Sequence, residues 1–125
     1  MGNRIRRLPD TELEVMQALW ACGGPASRSE IEKKLPPDRA MAVTTLLTLL
    51  TRLASRGFVR AEKHGRSGVY TPLIARETYL AEQSRRFVQQ ECGGSLSAFA
   101  AALCDSGLSE AELRELRALL ERDEL

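Results

Sequence analysis

Residues 42–56 read AVTTLLTLLTRLASR and run directly into Gly57. On a helical wheel turned by about 100° per residue, Leu46, Leu49, Leu50 and Leu53 fall in one narrow sector. That is the spacing of a helix laid on a core. Threonine is a poor helix former, so packing of these leucines must hold the segment, and Gly57 stands where a left-handed C-terminal cap is wanted. The opposite sector carries Thr44, Thr48, Thr51 and Ser55, with Thr45 and Arg52 along one flank and Leu47 on the other. No Asp or Glu occurs in the segment. A solvated surface helix mixes both signs of charge, whereas this face suits a groove. Short hydroxyls bond phosphates or base edges, threonine methyls meet thymine methyls, and Arg52 reaches phosphate or guanine.

Downstream, FVRAEKH and VYTPLI are short β-prone runs on either side of GRSG, which is the pattern of a hairpin. Lys63, His64 and Arg66 lie beside its turn, where a basic hairpin can follow a phosphate backbone. Upstream, Leu13, Met16 and Trp20 recur at helical spacing, so a first helix is predicted from Asp10, its candidate N-cap, to about Ala21. CGGPA breaks it. Ser27 and Glu30 then form a capping box that opens a short second helix through Leu35, ended by Pro36 and Pro37. Three helices followed by a hairpin is winged-helix order, and the N-terminal MGNRIRRLPD adds a basic arm whose Arg7 is a further candidate contact to a polyanion.

The net charge of +1 hides an asymmetry. Residues 1–74 hold 12 Lys and Arg against 7 Asp and Glu, a balance of +5, and residues 75–125 hold 6 against 10, a balance of −4. The first half suits a polyanion, and the second does not. Beyond residue 75, a long helix carrying Tyr79, Leu80, Phe87 and Val88 is stopped by Gly93 and Gly94, and LSAFAAAL forms another. Ser109 and Glu112 make a second capping box before Leu113, Leu116, Leu119 and Leu120. That apolar stripe needs a partner: either it folds back on its own domain or it packs against the same stripe on a second chain, and the second is favoured because DNA readers of this size commonly bind paired half-sites. The expected organisation is mostly α with a small β wing: a winged helix-turn-helix domain over 1–74 for DNA, and a helical dimerisation region over 75–125 using Tyr79, Phe87, Leu113, Leu116 and Leu120.

Other function classes find little here. Cys22, Cys92 and Cys104 are an odd number at wide spacing, without a CxxC pair, and His64 is the only histidine. That leaves no metal-ligand spacing, no nucleophile–histidine constellation for an enzyme, and no motif for a cofactor. No apolar run is long enough to span a bilayer, and the N-terminus lacks the apolar stretch of a secretory signal. The expected setting is the cytoplasm, with no membrane partner. The rival in a different class is a winged-helix module that docks a protein on the threonine face without binding specific DNA.

At these residues the chain resembles the penicillinase-repressor family, the BlaI and MecI type of bacterial winged-helix regulators. LPDTELEVMQALW is similar to that family's first helix, TTLLTLLTRLASRGFV to its recognition helix and exit, and EKHGRSGVYTPLI to its wing. FVQQECGG through LSEAELRELRALL is similar to its ending. The resemblance implies a homodimeric repressor holding a palindromic operator in duplex DNA. Thr44, Thr45, Leu47, Thr48, Thr51 and Arg52 would lie on the contacting helix, and Lys63 and Arg66 on the wing. Two positions depart from the family. Leu47 stands where relatives usually carry a basic or polar side chain, so a base contact there is lost or replaced by an apolar one. In the antibiotic-responsive members a regulatory metalloprotease cuts an Asn-Phe bond in the tail, and this chain has Ala101 and Ala102 at that place. The C-terminal cysteine cluster of a copper-responsive branch has no counterpart.

Overall fold

Helix α1 spans Asp10–Ala21 and buries Val15, Met16, Ala18 and Leu19. This computed structural model describes residues 5–122, and the first four residues of the basic arm lie outside that range. Asp10 does not cap α1 as expected. Pro9 occupies the N-cap position with φ −56° and ψ 153°, and no side chain caps the end. Proline's fixed φ suits that entry, and Asp10 becomes the first helical residue, at the positive end of the helix dipole.

The segment read as a simple break contains a two-residue strand, β1, Ala26–Ser27. It runs into α2, Arg28–Lys34, through the predicted capping box. The Ser27 amide donates to Glu30 Oε1 at 2.8 Å and the Glu30 amide donates to Ser27 Oγ at 3.2 Å. The Ser27 amide's bond first, and then the Ser27 hydroxyl, hold the Glu30 carboxyl below its usual pKa. The helix stops at Lys34, one residue early, because Leu35 precedes Pro36 and takes an extended ψ of 143°. A single 3₁₀ turn, Pro37–Arg39, leads onward.

Helix α3, Val43–Ser55, buries Leu46, Leu49, Leu50 and Leu53, the four leucines of the predicted sector. Its end is a Schellman motif. The Phe58 amide donates to Leu53 O at 2.9 Å and the Gly57 amide to Ala54 O at 3.1 Å, with Gly57 at φ +81°. The chain then enters β2, Val59–His64, and returns as β3, Ser67–Pro72. Their antiparallel register runs from Val59↔Pro72 to His64↔Ser67, so only Gly65 and Arg66 form the turn, with Gly65 at φ +66°. Strand β1 pairs with the other edge of β3 through Ala26↔Tyr70 and Ser27↔Val69, giving the order β1-β3-β2.

Helix α4, Arg76–Arg86, places Tyr79 in this same core. Only 2% of Tyr79 is exposed; its ring lies 5.8 Å from Trp20 and 6.0 Å from Phe58. Its hydroxyl accepts the Leu8 amide at 2.9 Å, and Trp20 Nε1 donates to Ile74 O at 2.9 Å. Tyr79 is therefore a core residue packed on Trp20 and Phe58, not an open interface residue. The molecule divides into two compact units, Met1–Gln83 and Ser84–Leu125. The division falls inside α4, whereas the charge asymmetry changes after Ile74. A cut at Ile74 would separate Tyr79 from its ring partners.

In the C-terminal unit the end of α4 passes into a π-helical turn, Phe87–Glu91. Helix α5, Leu96–Asp105, is capped by Ser95, and α6, Glu110–Glu121, by the capping box of Ser109 and Glu112. No helix among the described residues is long and apolar enough to cross a membrane.

Candidate nucleic-acid interface

The buried leucines of α3 fix which side of the helix faces outward. Thr44, Thr45, Thr48, Thr51, Arg52 and Ser55 are all exposed, and Thr44, Thr45, Thr48, Leu49 and Arg52 line one shallow depression. Leu47 lies beyond them at 39% exposure, and Val43, one turn earlier, at 43%. Ala42 at the N-cap provides no side-chain cap. The first-turn amides of the helix therefore keep the polarity that favours an anion.

Three outward hydroxyls already have intrahelical partners. Thr48 Oγ1 donates to Thr44 O at 2.9 Å, Thr51 Oγ1 to Leu47 O at 3.0 Å, and Ser55 Oγ to Arg52 O at 2.9 Å. A hydroxyl has one proton and two lone pairs, so in this arrangement each presents an acceptor to an approaching surface.

Four arginines of the N-terminal unit are held by carboxylates. Arg28, Arg39, Arg56 and Arg60 pair with Glu32, Glu14, Glu12 and Glu62 at 2.6, 2.6, 2.6 and 3.3 Å. Arg7, Arg52, Lys63 and Arg66 are exposed and have no carboxylate partner among the described residues. An unpaired exposed cation loses no internal contact when it meets a phosphate. These four are the cations singled out in the sequence. Lys63 lies on β2 opposite Gly68, and Arg66 is in the wing turn.

Two residues escaped the sequence reading. Val43 extends the apolar edge begun by Leu47, and its place four residues earlier, outside the leucine sector, was the available signal. Arg56, at the C-terminal cap of α3, anchors the helix to the buried Glu12 of α1. No spacing rule connects residues 44 positions apart. Of the expected interface residues outside the head, Phe87 is 42% exposed and meets Phe99 edge-on at 5.9 Å. Leu113 and Leu116 are half-buried on α6, and Leu120 is 56% exposed. Burial, then the charge of Glu30, pushes the Cys22 thiol up, which makes it less reactive.

Residues 8–122 match the penicillinase repressor family. The chain belongs to that family. The penicillinase repressor of Bacillus licheniformis is 31% identical over 119 residues, covering 94% of this chain and 92% of that protein. The methicillin resistance regulatory protein MecI of Mammaliicoccus sciuri is 26% identical over 123 residues, covering 98% and 99%. Among solved structures, the DNA-binding domain of the repressor BlaI is similar at 33% identity, with a TM-score of 0.52 over 62% of this chain and 94% of that one. A penicillinase-repressor chain thus places its α3 and hairpin in a winged-helix fold like that of the BlaI DNA-binding domain.

Proposed function

We propose that this chain is a transcriptional repressor that works in the cytoplasm as a homodimer, holding a palindromic operator in duplex DNA and occluding a promoter. The observation that carries this reading is the outward face of α3 in a member of this family: hydroxyls and Arg52, no carboxylate, exposed on a helix whose other side is locked into the core. Helix α3 enters the major groove, and Arg52 with the threonines meets bases and phosphates. Arg7, Lys63 and Arg66 hold the backbone alongside.

Dimerisation through the C-terminal unit is supported by its lack of cover. Among the described residues of that unit none is fully buried, and Leu96 and Leu120 are 71% and 56% exposed. Joining two such units across α6 buries Leu113, Leu116 and Leu120, with Phe87 beside them, and brings two heads to paired half-sites. A regulatory protease is a further partner in this reading. Ala101 and Ala102 are exposed in the middle of α5, so cleavage between them requires that helix to open locally.

The deciding experiment is a gel-shift titration against duplexes selected from a randomised pool, repeated over a range of salt. Counterion release gives a log Kd that rises linearly with log salt, by about 0.9 per phosphate neutralised. A salt-insensitive association would favour protein docking on the threonine face instead.

A further inference from the structure

The outward surface of α3 has two chemically different edges. On one side stand Thr45 and Arg52, both polar; on the other, Val43 and Leu47 at 43% and 39% exposure, four residues apart and so stacked along the helix. Between them, Thr48 and Thr51 direct their only hydroxyl protons back to Thr44 O and Leu47 O. What they offer outward is a methyl group and an acceptor lone pair. No carboxylate interrupts this strip.

We propose that the Val43–Leu47 edge, continued by the threonine methyls, reads the C5-methyl groups of thymines in the operator, and that these two residues set its preference for thymine at the positions they cover. The inference rests on the proposed DNA binding and names which base feature is read. In the major groove the thymine methyl is the one apolar group on a base edge, followed across the pair by the thymine O4 acceptor and the N6 amino donor of the paired adenine. An apolar side chain next to a hydroxyl lone pair matches that combination, methyl to methyl and donor to acceptor. A G·C pair offers the edge a donor but no methyl. Exposing two branched aliphatic side chains in water is unfavourable for the free protein, and covering them with thymine methyls removes that cost only on the correct sequence.

The test starts from duplexes enriched from a randomised pool by the wild-type chain, resynthesised with each thymine replaced singly by deoxyuridine. This deletes one methyl and leaves every hydrogen-bonding group in place. At one or two positions per half-site the wild type should lose about fourfold in affinity per methyl, the factor expected for one buried CH₂-sized group. Leu47→Ala should bind more weakly and lose the thymine–deoxyuridine difference at one of these positions; Val43→Ala should lose it at the other. Both residues are exposed, so melting curves should match wild type. If an enriched duplex is held tightly but deoxyuridine changes nothing anywhere, the methyl reading falls while DNA binding stands. The same holds if a folded Leu47→Ala variant keeps every thymine–deoxyuridine difference. If no duplex is enriched over the unselected pool, the proposed function fails as well.

Discussion

Arg56 Nη1 donates to Glu12 Oε1 at 2.6 Å, tying the C-terminal cap of α3 to the first turn of α1. The Glu12 side chain is only 3% exposed, and Arg56 is 37% exposed. The pair is asymmetric: its carboxylate depends on the protein for a partner, while its guanidinium keeps contact with water. Removing Arg56 therefore leaves an acceptor stranded in the core. Arg56→Ala should cost about 1–3 kcal/mol in chemical denaturation. Because the stranded charge is the main cost, Arg56→Ala combined with Glu12→Leu should be less destabilising than the sum of the single changes. Additivity within about 0.5 kcal/mol would mean that the two residues are not energetically coupled.

Tyr79 tests where the head ends. Its hydroxyl is the buried acceptor for the Leu8 amide, so Tyr79→Phe keeps the ring contacts and leaves that amide unpaired. The expected loss is about 1–3 kcal/mol in stability, with no change in sedimentation. A shift from dimer to monomer with unchanged head stability would return Tyr79 to the subunit interface.

What could be read from the sequence follows the range of the forces involved. Helix α3 was legible because Leu46, Leu49, Leu50 and Leu53 repeat at helical spacing and Gly57 marks the exit. The capping boxes at Ser27 and Ser109 are local as well, each closing over three residues. Strand β1 was not legible. Two residues carry no periodicity, and Ala26 becomes a strand only by pairing with Tyr70. Tyr79 shows a different limit, since its helical spacing announces burial but cannot say against what. The chemistry of the candidate site was legible from the absence of carboxylates on α3. The ion pairs that leave Arg52, Lys63 and Arg66 unpaired while occupying Arg56 and Arg60 depend on the folded arrangement.

Arg52→Ala should leave the fold intact, because the side chain is exposed, and should weaken operator binding by about 1–3 kcal/mol where Arg52 makes a bidentate or charge-assisted contact. Equal affinity in a folded variant would remove Arg52 from the interface.

Arg66→Glu, in the wing turn, should weaken selected and unselected duplexes alike and reduce the salt slope, since phosphate contacts position the protein without specifying sequence. An effect confined to one operator would contradict a backbone role.

The stripe on α6 predicts the oligomeric state without DNA. Sedimentation at micromolar concentration should give a dimer, and replacing Leu116 and Leu120 together by Asp should give monomers, because carboxylates without partners are unfavourable in an apolar interface. A wild-type monomer would remove the proposed assembly.

The last prediction concerns release from DNA. Ala101 and Ala102 lie within α5 in the C-terminal unit, upstream of α6 and well beyond the end of the N-terminal unit at Gln83. Cutting between them detaches Leu113, Leu116 and Leu120 without touching the α3 face, the wing or the ring cluster of Trp20, Phe58 and Tyr79. If the tail acts as a tether, the second head is no longer held near its half-site. Tethering supplies an effective concentration in the millimolar range and raises affinity by roughly 10² to 10⁴ over a single head. Complete cleavage at a specific protease site inserted at this bond, followed by removal of the fragment, should therefore lower operator affinity by a factor in that range. The melting transition of the head should persist, and deoxyuridine substitution should still weaken binding of the isolated head. Tight binding after cleavage would show that the subunits are joined elsewhere, and loss of the head's melting transition would show that the tail supports the fold of the reading head.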